Sequence, residues 1–126
     1  MSSPKILVID DDRSHRQIVA RILGANGYSV ESAADGESAL ELAKSHGAID
    51  LAIIDYMMPG MNGVETFRAL RKISPTLTGI FLTAHANINT IFPAVDAGIE
   101  RVLAKPANSD ELLTVVDELL GAGRSK

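Results

Sequence analysis

Apolar positions along the chain fall into five short runs: "KILVI" (5–9), "YSVES" (28–32), "DLAII" (50–54), "TGIFL" (78–82) and "RVLA" (101–104). Three of them are nearly continuous in apolar character, the pattern of strands covered on both faces. Between the runs the period changes to that of a helix. Ile18, Val19, Ile22 and Leu23 share one helical face, as do Leu112, Leu113, Val116, Leu119 and Leu120 in the last segment. The punctuation agrees: Gly24 and Asn26-Gly27 stop the first helix, Asp35 caps the second, and Asn108 with Glu111 opens the fifth as a capping box. The segment "NINTIFPAVDAG" (87–98) reads as a fourth helix, but Pro93 fits only a first turn, so that helix starts late, near Phe92, or is kinked. Strict alternation of strand and helix predicts an α/β fold, a doubly wound parallel five-stranded sheet with helices on both faces, because parallel strands need right-handed crossovers. In such sheets the working site lies at the carboxyl ends of the strands.

Composition narrows this little further. A length of 126 residues at 46% hydrophobic content suits one domain with a real core, expected over about 5–120, with "GAGRSK" (121–126) as a tail or the start of a linker. Charge is mixed, 12 Lys and Arg against 16 Asp and Glu, and the balance of −4 argues against general nucleic-acid binding. The sequence has no cysteine, hence no disulfide framework and no thiolate chemistry. No apolar core of signal-peptide length and no stretch of about 18 apolar residues occurs, which predicts a cytoplasmic protein without a membrane partner.

Chemistry gathers where the strands end. "VIDDD" sets Asp10, Asp11 and Asp12 side by side after strand 1, Asp55 ends strand 3, Thr83 ends strand 4 and Lys105 ends strand 5. Carboxylates held about 4 Å apart repel by roughly 4 kcal/mol at an effective dielectric of about 20, so something must offset the cluster. Any one of these residues could simply mark where a buried strand meets water; all of them on one rim are harder to explain that way. A glycine-rich phosphate loop, a dinucleotide fingerprint, a zinc spacing and a nucleophile elbow are absent from the sequence. Converging carboxylates suit a hard divalent cation, Mg²⁺ above all, which takes one or two carboxylates plus phosphate oxygens and keeps several waters. Asp12 is expected instead to cap the helix that begins near Arg13. Gly60 and Gly63 in "MPGMNG" permit positive φ in the loop after strand 3, and Met57, Met58 and Met61 are expected to pack or lie exposed there rather than bind a soft metal.

Taken in order, "VIDDD", "IIDYMMPGMNGVE", "FLTA" and "AKP" resemble the acidic pair, phosphoacceptor strand and loop, switch hydroxyl and lysine-proline pair of the receiver domain of two-component response regulators. The likeness covers essentially the whole chain. It implies a flavodoxin-like (βα)₅ sheet in the order 2-1-3-4-5. It also implies that Asp55 accepts a phosphoryl group from the phosphohistidine of a sensor histidine kinase or phosphotransfer protein. Asp11 would be a direct ligand of Mg²⁺, or of Mn²⁺ in its place, with Asp10 acting through metal-bound water, Asp55 on the same ion and the backbone carbonyl of Met57 completing the protein's share. Thr83 would donate its hydroxyl to a phosphoryl oxygen and Lys105 would supply positive charge from the other side. The Lys105-Pro106 bond would be cis. Phosphorylation would remodel the face of helix 4, strand 5 and helix 5 for a downstream protein or output domain. The domain would not be an enzyme on external substrates, although self-phosphorylation and autodephosphorylation are expected, with residues 57 and 85 setting access of the attacking water.

Val102 departs from the pattern, standing three residues before the lysine where the family commonly has Tyr or Phe. The alternative is a phosphorylation-independent adaptor on the same fold, against which the full set of Asp10, Asp11, Asp55, Thr83 and Lys105 speaks. A metal-dependent phosphohydrolase ranks lower, since nothing in the sequence marks a lid, a long insertion or a second acid/base pair.

Overall fold

The computed structural model describes residues 4–46, 49–84 and 96–124. Five strands are present, β1 (Lys5–Ile9), β2 (Ser29–Ala33), β3 (Leu51–Asp55), β4 (Thr78–Thr83) and β5 (Arg101–Ala104). They form one parallel sheet in the order β2-β1-β3-β4-β5. The described helices are α1 (Arg13–Gly24), α2 (Gly36–His46), α3 (Gly63–Ile73) and α4 (Ser109–Arg124), the last being the segment predicted as a fifth helix. The predicted fourth helix, with Pro93, lies almost entirely outside the described residues; Asp96 and Ala97 at its end are helical. Among the described residues no helix is long and apolar enough to cross a membrane.

Period-two alternation sends each strand's side chains to opposite faces, and each face meets its own pair of helices. Leu7, Ile9, Ala52, Ile54 and Phe81 pack with Ala39 and Ala43 of α2 and with Phe67 and Leu70 of α3. Ile6, Val8, Leu51, Ile53, Ile80 and Leu82 pack with Val19 and Leu23 of α1 and with Leu112, Val115 and Val116 of α4. On α1 the buried stripe differs from the predicted one. Val19 and Leu23 are fully buried, but Ile18 is 48% exposed, and the stripe runs on at i−4 to His15.

Helix starts fix the geometry around the sheet's carboxyl rim. Asp12 is the N-cap of α1, its carboxylate accepting the His15 N–H at 3.2 Å. Asp35 accepts the Ser38 N–H at 2.7 Å and Asn108 the Glu111 N–H at 2.9 Å, as the sequence predicts. Ahead of α3, Asn62 and Glu65 form a reciprocal capping box with both bonds at 2.9 Å, a signature the sequence reading passed over.

Strand register then sets the rim. Ile9 pairs with Ala33 on one side and Ile54 on the other, Asp55 pairs with Leu82, and Thr83 pairs with Ala104. The carboxyl ends therefore step outward by one residue from β1 to β3 and by another to β4 and β5, which brings Asp10 level with Asp55 and lets Lys105 emerge just beyond Thr83.

Candidate functional site

Asp10 follows β1 and is 2% exposed; Asp55 ends β3 and is 6% exposed; Asp11 is open to solvent. One carboxylate oxygen from each of the three lies within 4.8 Å of the others. Lys105 reaches across from the end of β5, its Nζ 3.0 Å from Asp10 Oδ2 and 3.2 Å from Asp55 Oδ2. The Lys105-Pro106 bond is cis. Thr83 is buried at the end of β4, and its carbonyl accepts the Lys105 N–H at 2.8 Å, tying the ends of β4 and β5 together. The Met57 N–H donates to Asp55 Oδ1 at 3.3 Å, so the turn expected to supply a carbonyl ligand closes on Asp55 itself. The Met57 side chain is 63% exposed and Met58 packs partly against the α2–α3 core.

The predicted site residues thus come together, apart from Asp12, whose carboxylate is occupied at the start of α1. His85 lies outside the described residues. In the loop after β3 the two glycines serve different ends. Gly60 has a φ of +77°, the left-handed region that favours glycine. Gly63 does not share that conformation. A Cβ there would lie 2.9 Å from the Tyr56 Cα and 3.0 Å from the Asp55 carbonyl oxygen, so a side chain is excluded by close approach to the backbone at the end of β3.

Two further residues shape the site, and the sequence reading named neither. His15 is buried on α1; its Nδ1 lies 2.8 Å from Asp10 Oδ2, and its Nε2 accepts the Ala107 N–H at 3.1 Å. Since Nε2 accepts, the ring proton sits on Nδ1, which donates to Asp10. Arg16 donates from Nη1 to the Asp10 carbonyl at 2.7 Å. The only sequence signal for His15 is its place four residues before Val19 and eight before Leu23.

Electrostatics separate the two buried carboxyls. Burial pushes the Asp55 carboxyl up to about 7, helped by the charge of Asp10 and opposed by Lys105. Burial also works against an ionised Asp10, but the Asp12 N–H, Lys105 and His15 outweigh it and hold that carboxyl below its ordinary value. Lys105 is partly desolvated, yet Asp10 and Asp55 together raise its ammonium above the ordinary lysine value. Three carboxyls against one ammonium form a rim rich in hard oxygen donors, where burial and the charge of Asp10 hold Asp55 back from ionising. That donor set fits an oxygen-loving divalent cation.

The comparisons agree with the architecture. The "Response regulator receiver domain" family model matches residues 6–117. The chain is 41% identical over 128 residues to "Response regulator MprA" of Mycolicibacterium vanbaalenii, an alignment covering 96% of this chain and 55% of that one. It spans about half the length of such relatives. Among solved structures, the chemotaxis protein CheY4 of Vibrio cholerae superposes with a TM-score of 0.88 at 32% identity, covering 94% of this chain and 99% of that one. A response regulator protein from Burkholderia pseudomallei, solved with a phosphorylated aspartic acid, a calcium ion and citrate, gives a TM-score of 0.81 at 32% identity over 88% of this chain and 65% of that one. With the family model spanning nearly the whole sheet and its helices, the chain belongs to the response regulator receiver domain family.

Proposed function

We propose that Asp55 is the phosphoacceptor of a phosphorelay, loaded in a Mg²⁺-dependent reaction from a sensor histidine kinase or phosphotransfer protein. The observation that carries this reading is the convergence of Asp10, Asp11 and Asp55 within 4.8 Å, with Lys105 spanning Asp10 and Asp55. The phosphorylated aspartic acid and calcium ion of the Burkholderia relative support it by analogy.

Asp10, Asp11, Asp55 and the Met57 carbonyl would hold the cation, Asp10 through a water. Once bound, a divalent ion favours the ionised carboxylates and neutralises phosphoryl oxygens. In the transfer, an Asp55 carboxylate oxygen forms the new bond to phosphorus as the phosphorus–nitrogen bond of the donor breaks. The imidazole nitrogen leaves with the electron pair and takes up a proton. Lys105, already within 3.2 Å of Asp55, offers its ammonium to the transferred group, and Thr83 offers its hydroxyl. The domain is then a signalling acceptor rather than an enzyme for external substrates. Its output passes to a downstream protein or an attached domain.

Acetyl phosphate with Mg²⁺ should add one phosphoryl mass to the wild-type chain and none to Asp55→Asn, read by intact-mass measurement. Full labelling of that variant would refute the assignment.

A further inference from the structure

His15 occupies a position on α1 that an apolar side chain would fill. Its neighbours along the buried stripe are Val19 and Leu23, and only 9% of it is exposed. Instead it presents two ring nitrogens, and both are bonded. Nδ1–H donates to Asp10 Oδ2 at 2.8 Å, and Nε2 receives the Ala107 N–H at 3.1 Å. Ala107 lies two residues past Lys105, whose ammonium touches the same Asp10 oxygen at 3.0 Å. A closed circuit results, from Asp10 through His15 to the 105–107 turn and back through Lys105.

We infer that His15 is a positioning residue of this site: it orients the Asp10 carboxylate and pins the turn that presents Lys105, so that the acidic pair and the lysine are held as one unit. The inference rests on the proposed function. Asp10 Oδ1 takes the Asp12 N–H at 2.9 Å and Lys105 at 3.2 Å, while Oδ2 takes His15 and Lys105. In the proposed reaction Lys105 must turn toward a phosphoryl group. Among the described residues, the hydrogen bonds then left on the Asp10 carboxylate are those from the Asp12 N–H and His15, and of these two donors His15 also reaches the turn. A hydrogen-bond partner fixes the orientation of the group it holds; for direct ligands its removal commonly changes metal affinity about 10- to 100-fold, and the low end applies to Asp10, which acts through a water.

Three substitutions separate the two bonds. In His15→Asn the amide N–H₂ sits where Nδ1 was; in His15→Gln the amide reaches toward the Nε2 position; His15→Leu supplies neither. Calorimetric titration with MgCl₂ at fixed pH should show affinity about 10-fold weaker for the Leu and Gln variants and largely restored for Asn. Imidazole ¹⁵N–¹H spectra of the wild-type chain, with the His15 signals identified by their loss in His15→Asn, should show the proton on Nδ1. That readout needs no variant to retain affinity. Wild-type Mg²⁺ affinity in a folded His15→Leu, equal losses in the Asn and Leu variants, or a proton on Nε2 would each overturn the inference while leaving the proposed function standing. Failure of the wild-type chain to take Mg²⁺ would overturn both.

Discussion

Asp10 and Asp55 stand on adjacent strands, yet their surroundings push their carboxyls in opposite directions. Asp10 has the donors, namely the Asp12 N–H, His15 and part of Lys105; Asp55 has burial and Asp10's charge. The consequence for stability follows from linkage. Between the ordinary carboxyl value of 3.8 and about 7, the folded chain keeps a proton on Asp55 that the unfolded chain has released. Stability from this group is therefore full below the lower value and is lost as pH rises through the upper one, at no more than about 1.4 kcal/mol per pH unit. Asp10 acts in the opposite sense, its contribution being present above 3.8 and lost as acid protonates it in the folded chain. In Mg²⁺-free denaturant titrations, the wild-type chain should lose stability relative to Asp55→Asn as pH is raised from 4 to 7. A constant difference would mean that Asp55 ionises normally. Asp11 and Asp12, adjacent in sequence, should also part company. Asp11→Asn removes a carboxylate from the cluster, whereas Asp12→Asn leaves a good N-cap and takes nothing from the site. Calorimetry with MgCl₂ should find the larger loss in Asp11→Asn, and equal losses would contradict the capping assignment. The roles of adjacent aspartates were legible because an Asp just before a helical period is a recognisable cap. His15 was not, because a polar residue on an apolar stripe counts against the stripe until its partners are seen.

At the level of elements, strand ends were the clearest signal, since each buried apolar run stops abruptly at a polar residue. Boundaries slipped by one at β2 and β3, where Tyr28 and Asp50 lie just outside the ladder though the sequence reading placed them inside. Tyr28 is nonetheless buried, its hydroxyl donating to Asp117 of α4, so tertiary packing rather than strand pairing explains its apolar body. The α1 stripe was misplaced for a related reason. Val19, Leu23 and the half-buried Ile22 pack on the core as the period predicts, but hydrophobicity alone also selects Ile18, which is exposed, and passes over His15, which is buried. The loop before α3 carries information the reading used only in part. Asn62 and Glu65 lock its end, and Gly63 lets α3 start against the backbone of Tyr56 and Asp55. Gly63→Ala should cost about 1–3 kcal/mol, because the atoms its Cβ meets are main chain and cannot swing aside. Gly24→Ala is the control: a Cβ there has nothing within 4 Å, and the change should be neutral or slightly stabilising. Equal denaturation midpoints for the two variants would show that the loop yields at no cost.

For the molecule as a whole, alternation and right-handed crossovers dictate parallel strands but not the edge at which each one joins, so the order β2-β1-β3-β4-β5 was expected through the family resemblance rather than from spacing. The same limit applies to how a loaded site is read at a distance. In the family an aromatic ring on the last strand fills the space left as the switch hydroxyl moves inward. Here Val102 pairs with Phe81 and packs half-buried against the α2–α3 core. Its branched side chain is stiff at χ1 and far smaller than a ring, so it offers neither the swing nor the volume. What can still move is tied to the site directly. Thr83 is the last residue of β4 and leads straight into residues 84–93, while its carbonyl holds the Lys105 N–H at 2.8 Å. If Asp55 is loaded as proposed, drawing Thr83 and Lys105 toward the phosphoryl group would act first on the 105–107 turn and on the segment that follows Thr83, of which residues 85–93 lie outside the described residues. Hydrogen exchange with and without beryllofluoride and Mg²⁺ should change most in residues 84–93, next in 105–107 through the Ala107 N–H held by His15, and least around Val102. A dominant change in β5 with 84–93 silent would place the relay in the edge strand. Val102 would then have to act through strand displacement, since rotation of so small a side chain leaves the outer face of β5 nearly unaltered.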